Sequence, residues 1–225
     1  MKKTYDLTLI ERNVVAENTI ELIFTKPQDY EFKIGQYTFL DVSDREKNII
    51  ATTRALSIAS HPDENLLRFV MRTSDSDFKT RCLAMEKGDP ATVTKATGSF
   101  GFRFSDKEIV FLISGIGIAP IIPMLIELEK TNYQGKVSLF YSNRTLAKTT
   151  YHEWLGKFNI KNYNYNPVFT GIQPRININL LKEKLDDIYD AHYYIIGTGD
   201  FIKTMKNLLV ENNISKEQYL VDNFG

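Results

Sequence analysis

A chain of 225 residues that is 43% hydrophobic and 25% charged has the make-up of an ordinary globular protein, with room for one or two domains. Its 28 basic and 28 acidic side chains cancel, so no overall field draws in nucleic acid or an anionic membrane, and polyanion binding is disfavoured as the main role. Its one cysteine, Cys82, can neither close an intramolecular disulfide nor hold an iron–sulfur cluster, which is usually held by four thiolates. The polar N-terminus lacks the apolar core of a secretory signal, and no run approaches the roughly 18 apolar residues of a membrane span. These features lead to the expectation of a cytoplasmic protein with no membrane span.

From residue 3 to about residue 95, short β-branched or alternating runs are separated by turn residues. Strands are expected at 5–15, 19–25, 36–42, 54–59, 66–72 and 91–95, at the spacing of a small antiparallel barrel or sandwich. The stretch 75–87 breaks this rhythm, because Phe78, Cys82, Leu83 and Met85 suit a short helix that Gly88 would cap. After Gly98-Ser99-Phe100-Gly101 the pattern becomes strand, helix, strand, helix. Strands are expected at 108–114, 136–142, 166–170, 192–196 and 219–221, and helices near 120–130, 147–158, 178–185 and 201–212. The run Ile109-Val110-Phe111-Leu112-Ile113 is apolar throughout, as in a parallel sheet covered on both faces. The expected organisation is an antiparallel β-barrel over residues 1–101 and a Rossmann-like α/β nucleotide-binding domain over 102–225.

The clearest chemical signal follows the first of these α/β strands. In Ser114-Gly115-Ile116-Gly117-Ile118-Ala119-Pro120, two glycines lead from a buried strand into a helix, with Pro120 suited to its first position. Glycine lets the backbone approach a ligand closely, and a helix start offers free N–H groups to phosphate. The third glycine of the usual dinucleotide fingerprint is absent, so a plain tight turn stays open as the alternative.

With its surroundings, this turn resembles the nicotinamide-binding turn of the ferredoxin reductase-like flavoproteins, and other landmarks of that family follow in the same order over nearly the whole chain. Arg54-Ala55-Leu56-Ser57 resembles the flavin motif RxYS, and Phe78-Lys79-Thr80 the segment that opens the flavin-phosphate helix. Gly98-Ser99-Phe100 resembles the Gly-x-Phe of the domain junction. Tyr194-Ile195-Ile196-Gly197-Thr198-Gly199 resembles YxCGP, and Asp222-Asn223-Phe224 the C-terminal acidic-x-Phe ending.

The resemblance implies FAD on the barrel, NADPH or NADH as substrate on the α/β domain, and an external redox protein such as ferredoxin or flavodoxin as acceptor. Arg54, with Thr80 and the helix start, would bind the flavin diphosphate, Ser57 would lie near flavin N5, and Phe224 would shield the ring. Gly115, Gly117, Ile118, Ala119, Pro120, Gly197, Thr198 and Gly199 would line the nicotinamide nucleotide. Strand alternation sends Arg54 and Leu56 to one face and Ser57 to the other, so a bend near Leu56 is expected. Three residues depart from the family pattern: Leu56 stands for the stacking Tyr, Ile196 for the Cys and Thr198 for the Pro.

The segment Ser142-Asn143-Arg144 offers an arginine where an acid would read the ribose of NAD, and Lys148 follows one turn later. With Arg175 beyond the Thr170-Gly171 turn, where the resemblance also puts phosphate contacts, this favours NADPH. No metal site and no Ser-His-Asp arrangement is legible, since His61, His152 and His192 are scattered. Two other functions stay open: an electron-transfer or regulatory subunit that does not oxidise NAD(P)H by itself, and a nucleotide-binding module without flavin.

Overall fold

Alternation of apolar and polar residues shapes the first half of the chain. In the computed structural model, which describes residues 3–44, 49–50, 53–102 and 106–223, this half forms strands β1 (Thr4–Ala16), β2 (Thr19–Thr25), β3 (Tyr37–Asp41), β4 (Arg54–Ser57), β5 (Leu66–Arg72) and β6 (Pro90–Thr94). They make one six-stranded sheet in the order β4-β3-β6-β1-β2-β5, antiparallel at every pairing. Asn18, at φ +54°, turns β1 into β2 in the left-handed conformation that asparagine tolerates. Leu22, Phe24, Leu40, Leu67, Phe69 and Val93 fill the core. Just past β4, Ala59 N donates to Arg68 O at 2.9 Å and Ser60 Oγ accepts from Arg68 N at 3.1 Å. These bonds tie the chain beyond one edge strand to the other edge strand, as a barrel requires.

Helix α1 (Asp77–Ala84) buries Phe78, Arg81 and Cys82. Arg81 carries its charge inside the protein: Nη2 lies 3.0 Å from an Asp89 carboxylate oxygen and 3.9 Å from Asp44, and Nε donates to Val42 O at 3.2 Å. A buried guanidinium is tolerated only when it is paired and its donors are used, so α1 is pinned between the chain after β3 and the start of β6. Burial pushes the Cys82 thiol up to about 12, which keeps it protonated as a small core side chain.

The second half is a parallel sheet of β7 (Glu108–Ser114), β8 (Lys136–Asn143), β9 (Asn162–Phe169), β10 (Ala191–Gly197) and β11 (Tyr219–Asn223), in the order β11-β10-β7-β8-β9. Its helices are α2 (Ile121–Lys130), α3 (His152–Leu155), α4 (Ile178–Lys184) and α5 (Gly199–Glu211). Val110, Leu112, Phe140, Ile195, Met205 and Leu209 belong to one buried cluster on this sheet. By contacts the chain divides into Met1–Phe102 with Ala119–Met124, and Arg103–Ile118 with Leu125–Gly225. No helix among the described residues is long and apolar enough to cross a membrane.

Four expectations need correction. Helix α1 ends at Ala84 because Met85 turns extended into the core; Gly88, at φ +95°, serves the later turn into β6. The helix expected near 147–158 is a 3-10 turn (Leu146–Lys148) and one α turn (His152–Leu155), separated by Tyr151 at φ +58°. Strand β9 begins four residues earlier than expected, because its Asn-Tyr alternation belongs to a sheet edge rather than to a buried run. Pro120 precedes α2 instead of opening it, since residues Gly115–Ile118 first make a 3-10 turn.

Arg81→Ala should cost about 3–5 kcal/mol, because it strands Asp89 and Asp44 in the interior without their cation. The drop in stability is read from urea unfolding, and a loss below about 1 kcal/mol would mean that the pair behaves like a surface one.

Candidate functional site

In the first unit, β4 and α1 bring the predicted flavin residues together. Arg54 is exposed, and its guanidinium carbon stands 6.0 Å from the centroid of the buried Phe78 ring. One of its nitrogens donates to Thr53 O at 3.1 Å, so the side chain is steered by its own backbone and by a ring on the first turn of α1. Within that helix, Thr80 N reaches back to Ser76 O at 2.8 Å. The amides of residues 77–79 thus point out of the helix start, as the first turn of any helix requires. Beside them, Ser76 Oγ is buried and has no hydrogen-bond partner. An orphaned hydroxyl, open amides and a cation together suit an anionic group, and a flavin phosphate fits this description. The exposed carboxylates of Asp75 and Asp77 do not.

The expected bend near Leu56 is absent. β4 pairs with β3 in unbroken register, Tyr37↔Ser57, Thr38↔Leu56, Phe39↔Ala55 and Leu40↔Arg54. Arg54 and Leu56 therefore share one face of the strand and Ala55 and Ser57 the other. Leu56 is half-buried and packs against the barrel core, while Ser57, at the strand's end, is buried. Lys79 is half-buried and Thr80 exposed.

Sequence reasoning missed Ser76, whose residue type at a helix N-cap was the available signal. It also missed the Tyr37–Phe39 pair, an edge-to-face contact at 6.0 Å on alternate residues of β3. Gly98, at φ +107°, lies against Tyr37, and a Cβ there would come to 3.0 Å from the Tyr37 ring.

In the second unit the strand order reverses between β7 and β10, the place in an open α/β sheet where a crevice forms beyond the strand ends. There the two turns press backbone against backbone. A Cβ on Gly117 would lie 2.7 Å from Ile196 O, and one on Gly197 would collide with the Ser114 hydroxyl. Gly115, at φ +54°, begins the turn, and Tyr141 Oη donates to its carbonyl at 2.8 Å. At the neighbouring strand end, Thr198 caps α5 through its side chain.

Along the same edge, Gly171 N donates to Arg144 O and Thr170 N to Asn143 O, each at 2.9 Å. The structure thus sets Arg144 beside the Thr170-Gly171 turn. The Arg144 side chain is exposed, with no hydrogen-bond or ion-pair partner among the described residues. Arg175 is also exposed, four residues beyond Gly171. Phe224 lies outside the described residues. Among those described, no three His, Cys, Asp or Glu side chains gather as a ligand set.

Gly117→Ala should disrupt the β7–β10 contact, because its new methyl meets backbone that cannot swing aside. Gly115→Ala meets nothing and bears only the strain of a left-handed alanine, about 1–2 kcal/mol. Thermal unfolding of both variants should rank Gly117→Ala as clearly the more damaging, and the reverse order would mean that the close approach does not constrain the turn.

No family model matches the chain. One component of the Na(+)-translocating NADH-quinone reductase of Pseudoalteromonas atlantica is 24% identical over 229 residues, covering 90% of this chain and 55% of the relative. The chain thus spans about half the length of the curated relatives it matches. Among solved structures, the Malassezia yamatoensis flavohemoglobin with bound FAD and heme superposes with a TM-score of 0.85 at 19% identity, over 99% of this chain and 60% of that one. A ferredoxin NADP+ reductase from Neisseria gonorrhoeae with bound FAD and NADP gives 0.83 at 20% identity, over 99% of both chains. With an antiparallel β domain followed in sequence by a parallel α/β domain, the chain has the two-domain fold of the ferredoxin reductase-like family.

Proposed function

We propose that this chain is a flavin-dependent oxidoreductase that accepts hydride from NAD(P)H and passes electrons to an external acceptor. The observation that carries the proposal is the Arg54 guanidinium standing over Phe78 at an amide-lined helix start with an orphaned Ser76 hydroxyl. FAD, held there, would supply the redox chemistry, taking up a hydride and giving up electrons singly or in pairs.

The chain's own residues bind and orient. Arg54 and the amides at the start of α1, with Lys79 and Thr80, hold the flavin phosphates. Leu56, on the face of β4 that it shares with Arg54, lines the ring, and Ala55 and Ser57, whose side chains take the other face, serve its hydride-accepting edge through their backbone. Phe224 covers the ring. Gly115, Gly117, Ile118, Ala119 and Pro120, with Gly197, Thr198 and Gly199, bind the nicotinamide nucleotide. The acceptor is a redox protein such as ferredoxin or flavodoxin.

A second reading, an electron-transfer component that works only inside a larger complex, is favoured by the sequence shared with the quinone reductase component, of which this chain covers 55%. Anaerobic bleaching of the flavin-loaded chain by NADPH or NADH alone supports the first reading, and bleaching only in the presence of further components supports the second.

Removal of the Arg54 cation should weaken FAD binding by about 1.5 kcal/mol, near tenfold, the low end for hydrogen bonds to a charged group because the side chain is exposed. Titration of folded Arg54→Ala with FAD measures this, and unchanged affinity would sink the assignment.

We further propose NADPH as the preferred nucleotide. Arg144, tied to the Thr170-Gly171 turn through its backbone, offers an exposed guanidinium with no partner among the described residues, Arg175 lies further along, and a 2′-phosphate asks for such cations. Because the matched relative is named for NADH, the ratio of kcat/KM for the two nucleotides is decisive. It should favour NADPH in the wild type and fall towards one in Arg144→Ala; a wild type that favours NADH, or an equal loss for both nucleotides, overturns the preference.

A further inference from the structure

A strand at the edge of a sheet offers unpaired N–H and C=O groups to any other strand, and proteins blunt such edges. Among the described residues, three of this chain's edges are treated in that way. The outer strands of the six-stranded sheet, β4 and β5, are joined past the end of β4 by the bonds between Ala59, Ser60 and Arg68. Where β1 runs beyond its pairing with β6, register shifts at Leu9/Glu11 and Val14/Ala16 and the charges of Glu11 and Arg12 spoil it as a template. On the parallel sheet, β9 is closed as well. Pro167 has no N–H, the Asn166 side chain donates to Asn164 O at 3.2 Å, and the Gln173 side chain donates to Pro167 O at 3.3 Å.

The opposite edge of that sheet has none of these devices. β11 is its terminal strand and contains neither proline nor lysine. Its pairing with β10 runs without a shift from Tyr193↔Tyr219 to Gly197↔Asn223, so no bulge turns the outer side away. Leu220 and Val221, neighbours that point to opposite faces, are each 36% exposed.

We propose that β11 is the seam of a homodimer, in which it pairs antiparallel with β11 of a second copy and continues the sheet across a two-fold axis. The strand's own sequence commits the edge to that occupant. Symmetry allows only registers in which one residue faces itself. With Leu220 on the axis, Tyr219 meets Val221, and Gln218, just ahead of the strand, meets Asp222. Leucine then faces leucine, an aromatic faces a β-branched side chain, and no like charges oppose each other. Moving the axis one residue either way sets Leu220 against Asp222 or against Gln218. The chain's 28 basic and 28 acidic residues leave no net charge to drive two copies apart. A seam of 5 residues is short beside the roughly 1,200–2,000 Å² of a stable interface, so the dimer dissociates on dilution. It stands or falls independently of flavin binding.

Sedimentation of the purified chain from about 1 to about 500 µM should show monomer giving way to dimer. Leu220→Lys places like charges opposite each other on the axis and should weaken the dimer at least about tenfold, with the thermal midpoint as the control for folding. Two cysteine variants read the register. Leu220→Cys faces its own copy and should form an intermolecular disulfide under mild oxidation. In Val221→Cys the two thiols sit on residues about 7–8 Å apart, too far to bridge. Cys82 is enclosed and protonated and stays out of the reaction. If Leu220→Lys does not fold, the cysteine variants decide alone. A chain that stays monomeric at about 500 µM overturns the proposal and leaves the edge to an extended segment of another protein. A dimer that survives Leu220→Lys, or a link through Val221→Cys in place of Leu220→Cys, overturns it equally.

Discussion

The guanidinium of Arg81, enclosed by Asp89, Asp44 and the carbonyl of Val42, decides where helix α1 stands. A charge that has left water must have its partners in fixed places, and those partners come from the ends of two neighbouring strands, the chain after β3 and the start of β6. Once the helix is set, Phe78 on its first turn is set too, and Phe78 is the ring over which Arg54 stands. The orphaned Ser76 hydroxyl is carried to the same spot. A surface feature that looks loose, one exposed arginine on a short edge strand, thus inherits its position from an ion pair in the interior.

The second unit reaches a comparable rigidity without buried charge. Its turn after β7 is placed by the lack of side chains: Gly117 allows the carbonyl of Ile196 into van der Waals range, and Gly197 leaves room for the Ser114 hydroxyl. The hydroxyl of Tyr141, reaching from the next strand, holds the carbonyl of Gly115 from the other side. The nucleotide role proposed for this turn needs a backbone that a ligand can approach closely, and the two glycines leave that backbone bare.

Much of this was legible in the sequence, because strand alternation and the apolar run of β7 are one-dimensional signals. The six barrel strands, the five parallel strands and the glycine turn were expected close to where they lie. What was not legible depends on neighbours far away in the chain. Met85 ends α1 because the core has room for it, and no local residue announces that. Asn162 and Asn164 extend β9 because the strand is at an edge, whereas a rule tuned to buried strands stops at Asn166. The bend expected at Leu56 came from wanting Arg54 and Ser57 on one side; the ladder with β3 keeps its hydrogen bonds instead and sends them to opposite faces. Ser76 acquires meaning only through Arg54, 22 positions away in sequence, which stands over the ring of Phe78 two residues further along the same segment.

Cys82 adjoins Arg81 in the same helix, and its thiol is fully enclosed and held in the protonated form. Alkylating reagents attack thiolates, so the folded barrel presents them with no target. Labelling can proceed only through molecules in which α1 has lifted from the barrel, and its rate then counts those openings. One native sulfur, with no engineered probe, turns the chain into a clock for the loosening of the helix that its buried arginine holds down.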